Sequence, residues 1–211
     1  MTYKVKDCVI IDETNDELAC LSNITAGYSL NINDIIIPTA EHLYQVCKFP
    51  HAPGLQLEII SEANPVTAKA LGNQKNKTMR KDWDKVQFQV MKWVLEVKLS
   101  QNWRSFGKLL KESGDRQIVA LTPGSNLWGA TKSGSFLNGT NALGCLLMEL
   151  RKNYVKFNNY PVCISPVDID DFLLFESPIG PVCNYKYQAE IAWSVNNSIL
   201  PPAEAAQDVS V

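Results

Sequence analysis

Pro38-Thr39-Ala40-Glu41-His42-Leu43-Tyr44-Gln45-Val46-Cys47-Lys48-Phe49 is the stretch around which the rest of the chain can be arranged. It follows Asp34-Ile35-Ile36-Ile37, a run that reads as the end of a strand. Thr39 is a good N-cap, so a helix is expected to start there. With 3.6 residues per turn, Glu41, Gln45 and Lys48 are spaced four and three apart and share one face, with Tyr44 beside them. Leu43, Val46 and Cys47 point elsewhere and can enter a core. By spacing alone, such a charged stripe is first a solvated helix face.

Upstream, residues 3–11 alternate and are rich in Val and Ile, predicting a strand, and Leu18–Leu21 predicts a short second one. Tyr28–Ile32 and the run before Pro38 flank a turn at Asn33-Asp34. A small antiparallel sheet feeding the helix is therefore expected. Downstream, Asn64-Pro65 starts a short helix that Gly72 can stop, and Asn73–Lys81 reads as a loop. A long helix spans about Asp82 to Ser100, with Trp83, Val86, Val90, Trp93, Val94 and Val97 as its apolar stripe. Trp103–Glu112 predicts another helix and Gln117–Leu121 a buried strand. Residues 122–140 form the longest polar loop, and Trp128 and Phe136 argue that it is folded. It leads into a helix at Asn141, where an anion can meet backbone N–H groups. Beyond Tyr160 short extended pieces and turns are expected, with one more strand at Tyr185–Val195 and a mobile tail over the last ~10 residues, Pro201–Val211.

The chain has 211 residues, 45% apolar and 20% charged, with a formal net charge of −2. Those proportions fit one globular α+β domain and give no support to a broad nucleic-acid-binding surface, although a local basic cleft is compatible with them. Six cysteines without a CxxC pair suit reduced thiols in a cytoplasmic protein, and two histidines cannot build a His-rich metal site. No apolar run approaches the ~18 residues of a membrane span, and the N-terminus lacks a signal peptide's apolar stretch.

Several motifs, taken in order, resemble the NADAR family, the group of YbiA-like N-glycosidases. They are Ser22-Asn23; Pro38-Thr39-Ala40-Glu41-His42 with Gln45 and Lys48-Phe49; Arg80 with Asp82-Trp83; and Val90-Met91 with Lys98. Ser113-Gly114-Asp115, Trp128-Gly129, Asn141-Ala142-Leu143-Gly144 and Leu147–Arg151 continue the series. The resemblance runs from about residue 20 to 155. It implies a compact, mostly helical α+β fold with a small antiparallel sheet. It divides the chain into a catalytic domain over 1–158 and an extension over 159–211, whose use for a protein partner is left open.

The resemblance also implies cleavage of an N-glycosidic bond between a base or amine and a ribosyl group, with no metal, no cofactor and no membrane. Two substrate types go with it: ADP-ribose on guanine in nucleic acid, removed to reverse DarT-type toxins, or small phosphoribosylated intermediates of riboflavin synthesis. A silent module that binds nucleotide-like molecules is the non-enzymatic alternative. Cleaving such a bond needs a proton for the leaving group and support for an oxocarbenium-like carbon. Glu41 is expected to be the acid/base, which requires a cleft that desolvates it. Lys48 is expected as a charge clamp or as an amine nucleophile forming a Schiff base, with Gln45 orienting one of them and Tyr44 nearby.

For the remaining candidates two readings stand side by side. Asn23 holds ribose hydroxyls or closes a turn. Trp128, followed by Gly129, stacks on a base or anchors its loop. Trp83 lines a site or fills the core. Arg80 and Lys98 contact phosphate or are simply solvated. Asn141 and Gly144 cap and pack the last helix, with phosphate contact a second use. The chain departs from the family where Ala120, Ser125 and Ala130 replace acidic residues, a change expected to make that loop friendlier to phosphates.

Overall fold

A computed structural model describes residues 1–12, 17–74, 78–122 and 127–184. The expected first strand is split. β1 (Thr2–Lys4) and β2 (Cys8–Ile11) are separated by a 3₁₀ turn, Val5–Asp7. The turn moves the chain from one sheet to another. After it comes a 3₁₀ helix, Glu17–Leu21, where a strand was expected. β3 (Leu30–Ile32) and β4 (Ile35–Ile37) form the expected hairpin. Asn33 and Asp34 both take left-handed φ, 50° and 63°, as a two-residue turn between twisted strands demands.

The hairpin delivers the chain into α1 (Ala40–Val46), where the Thr39 hydroxyl accepts from the His42 N–H. All seven residues of α1 are buried, so the solvated-stripe reading fails. α2 (Pro53–Ser61) and α3 (Pro65–Asn73) follow, the latter capped by the Asn64 side chain accepting from Val66 N–H at 2.9 Å. α4 (Trp83–Gln101) is the central helix and packs against α1. A π-helical turn, Trp103–Gly107, then leads into α5 (Lys108–Glu112).

β5 (Gln117–Ala120) pairs parallel with β2, Cys8 opposite Gln117 and Ile11 opposite Ala120. The sheet system is thus not antiparallel throughout. Within 122–140 a hairpin of β6 (Thr131–Ser133) and β7 (Phe136–Asn138) appears where a loop was expected, and it joins β1 in the order β1-β7-β6. α6 (Ala142–Leu150) packs on α4 and β5 and runs into a second π turn, Arg151–Val155.

Beyond it, β8 (Cys163–Ile164), β9 (Leu173–Leu174), β10 (Ser177–Pro178) and β11 (Val182–Cys183) form two small antiparallel pairs, β9–β10 and β8–β11. Ile164, Phe172, Leu174, Ile179 and Val182 belong to the same buried cluster as the helices. Up to residue 184 the extension therefore shares their core. Cys163 and Cys183 face each other on β8 and β11 and form a disulfide, which corrects the expectation of thiols throughout. The strand expected at 185–195 and the tail at 201–211 lie outside the described residues. Among the described residues, no helix is long and apolar enough to cross a membrane.

Candidate functional site

One face of α1 forms a wall of a cavity of about 610 Å³. The strand-to-helix entry fixes its start, since Glu41 N–H donates to the Asn23 carbonyl at 3.0 Å and so ties the 22–24 segment to the first turn. His42 points the other way. Its ring nitrogens sit 2.8 Å from Thr39 Oγ1 and 3.0 Å from the Glu62 carbonyl, joining α1 to the α2–α3 corner. The helix cannot rotate without breaking one or the other, so Glu41, Tyr44, Gln45 and Lys48 are held facing the hollow.

Glu41 is only 5% exposed, and Gln45 Nε2 donates to its Oε1 at 2.6 Å. Lys48 is equally buried. Its ammonium donates to the Gly72 carbonyl at 3.1 Å and to Asn73 Oδ1 at 2.8 Å, at the C-terminal end of α3, where the helix dipole favours a cation. The rings of Trp83 and Tyr44 lie 5.5 and 5.6 Å from the same nitrogen. Burial pulls Lys48 down to about 8; Glu41 opposes that shift and Lys69 adds to it. Desolvation also drives the Tyr44 phenol well up, so it stays protonated.

Aromatic rings form another side. Tyr44 lies 5.0 Å from Trp83 and 5.6 Å from Trp128 between ring centres, and Phe88 backs Trp128 at 5.2 Å. Asn23 Oδ1 and Gln45 Oε1 are buried with no hydrogen-bond partner among the described residues. Buried acceptors of that kind are costly unless a ligand or water supplies a donor. The cavity thus combines a carboxylate, an amine of lowered basicity and a flat aromatic wall, with two unpaired acceptors buried behind its lining.

Of the expected site residues, Glu41, Lys48, Asn23, Gln45, Tyr44, Trp83 and Trp128 converge on this cavity. Five others do not line it. Lys98 is fully buried on the far side of the 20–22 segment, donating to the Ser22 carbonyl at 2.8 Å, its nitrogen 4.3 Å from the centre of the Phe106 ring. It is neither solvated nor placed to meet a phosphate. Arg80 makes a two-pronged bond to Asp82, at 2.7 and 2.9 Å, and reaches the Asp170 carbonyl, leaving Nη1 buried without a partner among the described residues. Asn141 has a left-handed φ of 55° and makes no side-chain cap; its amide bridges the Ile118 carbonyl and Ala120 N–H of β5. Gly144 lets α6 approach, since a Cβ would run into the Ile118 carbonyl, and Gly129 does the same against Ala120 and Thr122.

Sequence reasoning missed Lys69, Gly72 and Asn73, which bring one end of α3 to the cavity. Their spacing of three and four is a helical-face signal, hidden because Gly72 reads equally well as a stop. Asp84, Gln87 and Met91 on α4 were also missed as lining residues; the interval of three and four turns them to one side. Met91 Sδ accepts from Asn23 Nδ2 at 3.1 Å. Ala120 lies on the cavity wall, Ala130 is buried off it, and Ser125 is outside the described residues.

Comparison with known proteins identifies the family. The model of the NADAR domain matches residues 11–154. N-glycosidase YbiA of Escherichia coli K12 is 32% identical over 139 residues, covering 66% of this chain and 83% of that protein. N-glycosidase Npun_R5314 of Nostoc punctiforme is 31% identical over 135 residues, 63% and 83% of the two chains. A riboflavin biosynthesis protein of Vibrio vulnificus, VVA0006, is 27% identical over 124 residues, only 32% of its own length. The NMR structure of E. coli YbiA is similar in fold, with a TM-score of 0.61 and 29% identity, covering 72% of this chain and 86% of that one.

Proposed function

The chain belongs to the NADAR family, and from that premise we propose that it is an N-glycosidase cleaving a ribosyl–base bond, its preferred substrate being ADP-ribose on guanine in nucleic acid. The observation that carries the reading is the convergence of the Glu41 carboxylate and the Lys48 amine on one cavity walled by Tyr44, Trp83 and Trp128. The two relatives named as N-glycosidases align over most of their own length and support the reaction class.

In this reading the base stacks on the aromatic wall. Protonated Glu41 gives its proton to the base nitrogen as the bond to C1′ weakens. With a pKa near 8, roughly a tenth of Lys48 is free amine at pH 7. That amine attacks C1′, the C1′–N bond breaks and the base leaves with the Glu41 proton; the C1′–O4′ bond then opens, Nζ passing a proton to O4′, and a protonated Schiff base remains on Nζ. The Glu41 carboxylate then draws a proton from water, whose oxygen adds to C1′. Collapse returns the lysine and leaves free ribose at the anomeric carbon.

Incubation with an oligonucleotide carrying ADP-ribosylated guanine tests this. Release of ADP-ribose is expected, and Glu41→Gln is expected to slow it about 10²–10⁴-fold. Cyanoborohydride added during turnover should trap ADP-ribose on Lys48. The Vibrio relative makes riboflavin-pathway phosphoribosyl intermediates the second substrate to offer. Cleavage of those alone would move the assignment to small metabolites. Unchanged ligand recovered from both, after tight binding, would make the protein a nucleotide-binding module instead.

A further inference from the structure

A second hollow, of about 880 Å³, lies between the helical stretch 103–115 and the end of α6 with its continuation to residue 158. None of its lining residues lines the first cavity. Arg104, Lys108, Lys111, Arg151, Lys152 and Lys156 all border it, against one carboxylate, Asp115. The chain as a whole has 20 basic and 22 acidic residues, so this concentration is a local asymmetry and not a reflection of overall charge. A concave basic surface of this kind focuses a positive potential.

Its two walls share an uncommon backbone. The π turn Trp103–Gly107 starts one wall, and the π turn Arg151–Val155 ends the other. Such turns interrupt α-helices rarely and recur at functional sites. Trp103, Arg104, Arg151 and Lys152 all line the hollow. Arg151 is anchored, donating to Ser113 Oγ at 2.6 Å and to the Arg116 carbonyl at 2.9 Å. Lys111, Lys152 and Lys156 are exposed and spread over both walls. Two rings accompany them. Trp103 forms part of the wall, and Phe157, between the lining residues Lys156 and Asn158, is 72% exposed.

We propose that this groove binds the phosphate backbone of single-stranded nucleic acid, with Trp103 and Phe157 offering faces on which bases stack. Several exposed cations distributed over a long concavity suit a run of phosphates better than one anchored anion, and rings beside them suit unpaired bases. In preferring nucleic acid over another polyanion, the proposal rests on the reading of the first cavity; the groove's charge and shape do not. Leu143 of the cavity and Met148 of the groove are both on α6, five residues or about 7.5 Å apart along the helix axis.

The test uses the full chain and an unmodified single-stranded 20-mer, titrated by fluorescence anisotropy at several salt concentrations. Wild type should bind with a salt-dependent affinity. Lys111→Glu/Lys152→Glu/Lys156→Glu should weaken binding at least tenfold and lower the slope of log K against log salt by about 2. Lys4→Glu/Lys6→Glu/Lys132→Glu, with the same change in net charge on exposed residues elsewhere, should bind within about threefold of wild type. Absence of binding by wild type, or equal loss in both triple variants, overturns the proposal. So does full displacement of the oligonucleotide by an equal phosphate concentration of inorganic pyrophosphate, the mark of a small-anion site. Failure of the first reading is seen separately: free ADP-ribosylated guanosine should be cleaved at the wild-type rate by the groove variant, and if wild type does not cleave it, the binding result still decides the groove.

Discussion

Lys48 and Lys98 occupy two regions that look alike in chemistry and differ in access. Both amines are buried, both donate to backbone carbonyls, and both sit against two aromatic rings. Burial lowers Lys48 to about 8 and Lys98 to about 7. Yet Lys48 opens on the cavity, whereas Lys98 is sealed behind the segment that precedes Asn23. A lowered amine pKa is therefore no signature of catalysis in itself; the hollow beside it makes the difference.

The largest expected effect separates the two by mutation. Lys48→Ala should lose about 10³-fold or more of the glycosidase rate, with a modest change in melting temperature, since the space it leaves joins an existing hollow. Lys98→Ala should cost about 2–5 kcal/mol, from a new sealed cavity and the unmet carbonyls of Cys20 and Ser22. Lys98→Met keeps the volume and removes a buried charge, so it should recover much of that stability. Urea melts paired with single-turnover rates on each variant read both quantities. Equal rate losses with equal stability would erase the distinction drawn here.

A pH series sharpens it next. Modification of Lys48 by a small amine-directed reagent, which needs the free amine alone, should rise about tenfold per unit below pH 8 and level above it. Stability should respond as well. In the unfolded chain each lysine holds its proton to about pH 10.5, whereas in the fold Lys98 releases it near 7 and Lys48 near 8. Between those values the unfolded state binds more protons, so the unfolding free energy rises with pH. Most of that rise between pH 7 and 8 belongs to Lys98, with a smaller share from Lys48, and should shrink in Lys98→Met. Urea midpoints from pH 6.5 to 10 would show it, and a flat profile for wild type would contradict both assignments.

Much of this arrangement was legible in the residues themselves. Thr39 marked the start of α1, the three-and-four spacing put Glu41, Gln45 and Lys48 on one face, and Asn33-Asp34 marked the hairpin. These are local signals, set by backbone conformation and side-chain reach. What stayed hidden depended on distant partners. Lys98 reads as a surface lysine until Ser22, Tyr28 and Phe106 close around it. Arg80 reads as a phosphate ligand until Asp170, ninety residues away, takes its guanidinium. Leu18–Leu21 reads as a strand by composition, but it coils into a 3₁₀ helix whose Cys20 carbonyl meets Lys98 and whose Ala19 carbonyl meets Ser22 N–H and the Thr25 hydroxyl. The β6–β7 hairpin was masked by Gly and Ser, and its pairing to β1 bridges more than 130 residues.

The smallest expected effect tests how α3 supports the cavity. Gly72 is not a stop signal in the fold; it lies within α3, and a Cβ there would run into the Gln45 side chain. Its carbonyl also receives the Lys48 ammonium. Gly72→Ala must push α3 from α1 or swing Gln45 aside, and either movement loosens the hold on Glu41 and Lys48 together. Overpacking of this kind costs about 1–3 kcal/mol, partly offset by alanine's better helix propensity of about 1 kcal/mol. The net stability change should then be small, while the rate falls about tenfold because both reacting groups are misplaced. The same substitution leaves Lys98 and its carbonyls untouched, so the pH 7–8 step in stability should persist. A rate at the wild-type level in Gly72→Ala would mean that Lys48 does not need its α3 anchor, and that the depth of the cavity alone sets its basicity.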